Sequence, residues 1–369
     1  MEVPFIDLKR KFYQFKSEVD KKYQEIINQT AFISGRNVHE LEIAWADYLE
    51  VKQAVAVNSG TSAVYLALRS LEVKSGDEVI VPTNTFVATA EAVSMVGAKP
   101  VFVDIEPDTY LIDPKKVNAA VSGKTRAVIA VQLYGQSANI AELKNICQPK
   151  SIYLIEDACQ AHGAEYKGEK VGGLADLAAF SFYPSKNLGG FGESGMVTTQ
   201  NDKLAEMIRI IRDHGAVQKY YHQMIGGNFR MSEFQAATLN AKLPYLDEWN
   251  NLRREAAGWY QQSLKGLDLV LPVEARDCRH VYYVYVVKTS RREALQAYLA
   301  DHHIGTGIHY PVPLHLQQCY QALGYKTGDL PFAEEAAGQI LSLPIFPGIS
   351  REEVDYVCQT VNNFFKTKS

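Results

Sequence analysis

The chain has 369 residues, 47% of them apolar, and a net charge of −4 with both signs mixed along its length. That length exceeds what one hydrophobic core holds, so a large domain beside a smaller one is expected. The charge balance gives no electrostatic case for nucleic acid or an anionic membrane, and no apolar stretch reads as a signal core or a span. A cytoplasmic location is the expectation.

The five cysteines (Cys147, Cys159, Cys278, Cys319, Cys358) are an odd number without a C-x-x-C pair. They read as free thiols rather than a disulfide frame or a zinc site. The nine histidines offer no pair at helix-ligand spacing, and no metal is expected.

In chain order, helices are predicted over 11–27 and 38–49. Strands and helices then alternate: strand 55–57, helix 63–70, strand 78–81, helix 88–96, strand 100–103, strand 126–131, helix 141–147, strand 153–155 and strand 178–182. The strands are continuously apolar rather than alternating, which indicates a mostly parallel sheet covered by helices on both faces. Beyond 194–199 come longer helices at 203–214, 232–243 and 249–264, then a strand over 280–287 and helices at 292–302, 333–341 and 352–365. The economical division is a large α/β domain over 1–249 and a smaller α+β domain over 250–369, with the two early helices packing towards the small domain.

Four loops carry chemistry. Asn58-Ser59-Gly60-Thr61-Ser62 follows a strand and opens a helix; it reads as a phosphate cradle on free backbone amides or as a plain Ser/Thr cap. Glu156 and Asp157 end a buried strand, where open α/β sheets bind ligands, and Gln160 and His162 follow. Ser181-Phe182-Tyr183-Pro184-Ser185-Lys186 runs into a glycine-rich turn, so Lys186 is either a solvated lysine or a desolvated nucleophile able to condense with an aldehyde. Gly227-Asn228-Phe229-Arg230 precedes a helix and is either an ordinary polar loop or an anion contact. Phe86, after another strand, is a core residue or a ring that stacks on a planar ligand.

Taken in this order, Gly60-Thr61, Asp157-x-x-Gln160, Lys186 and Gly227-Asn228-x-Arg230 resemble the DegT/StrS-type nucleotide-sugar aminotransferases, a branch of the fold type I pyridoxal-phosphate enzymes. The resemblance extends from Pro4-Phe5-Ile6-Asp7 to Leu341-Ser342-Leu343-Pro344. It implies that Lys186 holds pyridoxal 5'-phosphate as a Schiff base and that Asp157 pairs with the pyridine nitrogen. Gln160 would meet the ring hydroxyl and Phe86 would stack on the ring, while Gly60, Thr61 and Ser181 would hold the phosphate. Asn228 would reach that phosphate from the other subunit of a homodimer with shared active sites.

The implied reaction is a two-stage transamination from L-glutamate, through pyridoxamine 5'-phosphate, to a nucleotide-linked ketosugar, with Lys186 as nucleophile and general acid/base. The segment Gly307-Ile308-His309-Tyr310-Pro311 is similar to the subset acting on dTDP-linked 3-keto-6-deoxyhexoses. His309 and Tyr310 would face the hexose together with Tyr183, and Lys219 would come from the partner subunit. A 4-keto or UDP-linked sugar, a dehydratase and a non-catalytic regulator on the same fold are the alternatives.

Overall fold

Seven strands form the central sheet of the computed structural model, which describes residues 1–366. In chain order they are β1 (Gln53–Val57), β2 (Glu78–Pro82), β3 (Lys99–Val103), β4 (Thr125–Val131), β5 (Tyr153–Asp157), β6 (Leu177–Ser181) and β7 (Gly195–Thr199). Their spatial order is β1-β7-β6-β5-β4-β2-β3. Only β7 runs against its neighbours, pairing antiparallel with both β1 and β6. The apolar runs are thus explained: both faces are covered and nearly every strand residue is buried.

α3 (Gly60–Ser70), α4 (Ala88–Met95), α5 (Pro114–Ala120) and α6 (Ile140–Cys147) connect successive parallel strands, while α1 (Phe12–Gln29) and α2 (Arg36–Leu49) precede the sheet and α7 (Asp202–Arg212) and α8 (Glu233–Lys242) follow its last strand. α3 begins directly after β1 and α4 directly after β2, so both helix N-termini face the carboxyl edge of the sheet. β5 and β6 end at that edge too. It is the edge at which such sheets bind ligands.

The expected boundary at 249/250 falls inside one unbroken helix, α9 (Leu246–Ser263). Leu246 belongs to the sheet's core, whereas Ala256, Ala257 and Tyr260 belong to a second core with α10 (Arg292–Asp301) and α12 (Arg351–Lys366). α9 therefore joins two apolar clusters as a rigid bar.

Three sequence expectations need correction. The early helices pack mainly on the first segment: α1 sets Phe15 and Val19 against Ala241 of α8 and Trp249 at the start of α9, with Leu252 of the later segment at the edge of that cluster, and α2 lies against α8 and β1. Periodicity defines an apolar face but not its partner; Val3 reaches the second core, bridging to Ile304, and the Arg10 guanidinium lies over Phe346 of that core at 5.2 Å. The strand predicted over 280–287 is shortened to β8 (Tyr285–Lys288). The His280 ring accepts from the Tyr282 backbone N–H at 2.8 Å, and Tyr282 turns to φ +43°, which bends the chain before pairing begins. The helix predicted over 333–341 ends with α11 (Pro331–Gln339), and β9 (Ile340–Leu343) pairs antiparallel with β8.

Among the described residues, no helix is long and apolar enough to cross a membrane. All five cysteines are free.

Candidate active site

A cavity of about 450 Å³ opens at the carboxyl edge of the sheet. Gly60, Thr61, Phe86, Asp157, Gln160, Ser181, Tyr183, Lys186 and Tyr310 line it, so nine of the twelve sequence-predicted site residues meet in one place. They arrive from five separate segments of the chain.

Asp157 shows how strand geometry sorts two adjacent acids. Successive side chains of a strand point to opposite faces, so Asp157 lines the cavity while Glu156 turns into the protein. There Glu156 accepts from the Gln132 amide at 2.9 Å and from the Gly172 and Leu174 N–H groups at 3.2 and 2.9 Å. Burial raises it to about 7 against those donors. It is a structural acid.

The Asp157 carboxylate is held at both oxygens: the Thr89 hydroxyl donates to Oδ2 at 2.6 Å and the Cys159 N–H to Oδ1 at 3.2 Å. Thr89 sits in the first turn of α4 and was not singled out from sequence, although it lies in the loop that supplies Phe86. Phe86 is half exposed on the cavity wall, its ring 5.7 Å from that of Tyr310.

Lys186 rides on the turn after β6. Its own N–H donates to the Tyr183 carbonyl at 2.9 Å, and the Gly190 N–H closes the turn on the Phe182 carbonyl at 2.8 Å. Three ties fix this turn from outside. The Asn187 amide donates to Asn250 at 2.7 Å and to the Val281 carbonyl at 3.1 Å, the Phe191 N–H donates to Gln235 at 2.8 Å, and the Lys242 ammonium donates to the Gly189 carbonyl. A Cβ on Gly189 would come 2.4 Å from the Pro184 oxygen, so glycine is required by close approach there. The Lys186 amine lies 4.3 Å from the centre of the Tyr283 ring, a contact that sequence reasoning missed.

At the other end of the cavity, Ser59 caps α3, accepting from the Ser62 N–H at 3.1 Å. Cap and cradle are therefore not alternatives: the cap leaves the first amides of α3 aimed at the cavity. A Cβ on Gly60 would lie 2.6 Å from that of Ser181 and 3.0 Å from the Cys159 sulfur.

Gln160 is engaged at both ends, accepting from the Tyr134 N–H at 2.8 Å and donating to the Tyr310 hydroxyl at 3.0 Å. Three predicted residues lie apart from the cavity lining. His309 meets the Ser342 hydroxyl through Nδ1 at 2.8 Å and stacks on Phe5. Burial, with the Lys186 charge adding to it, lowers His309 to about 4, so it is neutral near pH 7. Asn228 is exposed and accepts from Arg230, which is itself tied to Asp213 at 2.8 Å. Lys219 projects from the exposed hairpin formed by Ala216–Gln218 and Tyr221–His222.

His162 is fully buried among Trp45, Phe180 and Phe182, and desolvation lowers it to about 3. An unfolded histidine binds its proton near 6.5, so this residue's contribution is intact above that pH and is lost as pH falls below it, by about 1.4 kcal/mol per unit. His162→Phe is expected to gain about 2 kcal/mol on wild type between pH 7 and pH 5. Urea unfolding at the two pH values measures it; an unchanged difference contradicts it.

The DegT/DnrJ/EryC1/StrS aminotransferase family matches residues 14–362. The chain belongs to that family. Its relatives include a Geobacillus stearothermophilus protein described as a pleiotropic regulatory protein, 43% identical over 99% of both chains. A dTDP-3-amino-3,4,6-trideoxy-alpha-D-glucose transaminase of Streptomyces venezuelae is 41% identical over 98% of this chain and 96% of its own. The S. venezuelae DesV crystal structure, in complex with a ketimine intermediate, superposes with a TM-score of 0.98 at 40% identity over 100% of both chains. Family membership and the mostly parallel, helix-flanked sheet agree with the sequence resemblance.

Proposed function

We propose that this aminotransferase uses pyridoxal 5'-phosphate to move an amino group from L-glutamate to C3 of a dTDP-linked 3-keto-6-deoxyhexose. The observation that carries the reading is the meeting of Lys186, Asp157, Phe86 and the α3 N-terminus around one 450 Å³ cavity. These residues suit the cofactor: a glycine-bounded helix start for its phosphate, a carboxylate at the far wall for its ring nitrogen, an aromatic face, and an amine.

Bound there, the cofactor supplies an electron sink for negative charge at the amine-bearing carbon of the donor. Lys186 would hold the cofactor between turnovers, and its amine, once free, would serve as the acid/base that moves the donor's proton. Asp157, kept in place by Thr89, would hold the proton on the ring nitrogen. Gly60, Thr61 and Ser181 would anchor the phosphate, Gln160 and Tyr310 would border the ring, and Phe86 would cover its face. The donor would depart as its oxoacid and the sugar would depart carrying the amine.

Tyr183 and Tyr310 flank the space left for the hexose, with His309 behind Tyr310. Asn228 and Lys219, both exposed here, are assigned to the neighbouring active site of a homodimer, in keeping with their absence from the lining of this chain's cavity. The regulator alternative lacks a reason for preserving a lysine, a buttressed carboxylate and a phosphate cradle together.

A panel of dTDP- and UDP-linked 3-keto and 4-keto sugars, each with glutamate and followed by product identification, tests the substrate. A 3-amino dTDP sugar is expected, and exclusive amination at C4 or of UDP sugars contradicts it. Gly60→Ala tests the cradle. Its methyl group would press on Ser181, costing about 1–3 kcal/mol, so the affinity of the apoenzyme for pyridoxal phosphate should fall roughly tenfold or more. Absorbance titration reads this, and unchanged affinity argues against a cofactor phosphate at α3.

A further inference from the structure

A second cavity, of about 690 Å³, shares Ser185 and Lys186 with the first but is otherwise built from the N-terminal segment, α8, α9 and the loop at Phe346. Its chemistry is unlike that of the catalytic cavity. Besides the shared Lys186, four cations line it, Lys9, Lys11, Lys242 and Arg253, against a single acid, Asp7. Both Asp7 oxygens are already taken, by the Lys9 N–H at 2.9 Å and by the Arg10 guanidinium at 3.3 Å.

Two of these cations, Arg253 buried and Lys242 partly buried, have no countercharge among the described residues. Arg253 is 3% exposed; one guanidinium nitrogen reaches the Tyr282, Tyr283 and Ile345 carbonyls, and its Nε has no partner. Lys242 sits among the rings of Phe15, Phe191 and Trp249, at 5.2 to 5.9 Å, and meets only the Gly189 carbonyl. Neither makes an ion pair among the described residues. Positive charge is costly in such a wall unless an anion completes it. At the mouth, Tyr13 is 83% exposed and Phe191 44%, offering flat apolar faces beside Lys9.

The geometry points to a second ligand site that takes a nucleoside phosphate, its base against the aromatic rim and its phosphate towards the uncompensated cations. Base stacking and cation pairing are the two contacts such a ligand needs. Its floor is the turn that carries Lys186, and Lys242 joins the two through the Gly189 carbonyl. A nucleotide here would modulate turnover without entering the catalytic cavity. The assignment rests on the nucleotide-sugar reading only for the identity of the base.

Calorimetric titration of the holoenzyme with thymidine 5'-monophosphate, paired with inhibition kinetics against the ketosugar, tests it. Two nucleotides per chain are expected, one competitive and one not. Lys9→Glu and Tyr13→Ala, both at exposed positions, should weaken the non-competitive one tenfold or more while uninhibited turnover stays within twofold. A single, competitive nucleotide indifferent to both substitutions overturns the second site and leaves the catalytic reading standing. No nucleotide binding at all counts against both.

Discussion

Lys186→Ala should retain the fold and lose transamination by at least about 10⁴-fold, because one side chain supplies both the covalent attachment and the proton transfer. The fold is expected to survive because the turn is held by its backbone and by Asn187, Gln235 and Lys242, none of which uses the Lys186 amine. The amine itself contacts only the Tyr283 face among the ring contacts of the site. Circular dichroism and a glutamate half-reaction followed by absorbance separate the two effects. Turnover within tenfold of wild type would move the chemistry to another residue.

Asp157→Asn should lower kcat by roughly 10²–10³-fold, the usual consequence of losing one oriented electrostatic group, with a much smaller change in cofactor affinity. The amide fills the same space, but it removes the negative charge opposite the ring nitrogen. It also puts a donor where one of the two present acceptors stood, at Thr89 or at the Cys159 N–H. Thr89→Val should reproduce part of this loss, since it frees the carboxylate without removing it. Equal kcat in Asp157→Asn and wild type would show that the carboxylate does not tune the cofactor.

The sheet was legible because its strands are apolar without interruption and because Gly, Ser and Asp mark their carboxyl ends. The site was legible for the same reason: β5, β6 and α3 each bring their marked residues to one edge. What stayed hidden depends on contacts between distant segments. Nothing local distinguishes Ile340–Leu343 from the end of α11; the strand forms because Tyr285–Lys288 lies alongside. The seven-residue helix α5 is too short for periodicity to reveal, and its Asp113 cap with Pro114 behind it was the available signal. The setting of His309 was also hidden, since Ser342 and Phe5, far away in sequence, hold its ring just off the cavity lining. Thr89 and Tyr283 were invisible as site residues for the converse reason, since only the folded chain sets them against Asp157 and Lys186.

Borohydride reduction of the holoenzyme, followed by proteolysis and mass spectrometry of the peptides, addresses the central assignment most directly. A cofactor-derived mass on the peptide containing Lys186, absent from the alanine variant, is the predicted result. Label on a different lysine, or on none with the cofactor demonstrably bound, would contradict it.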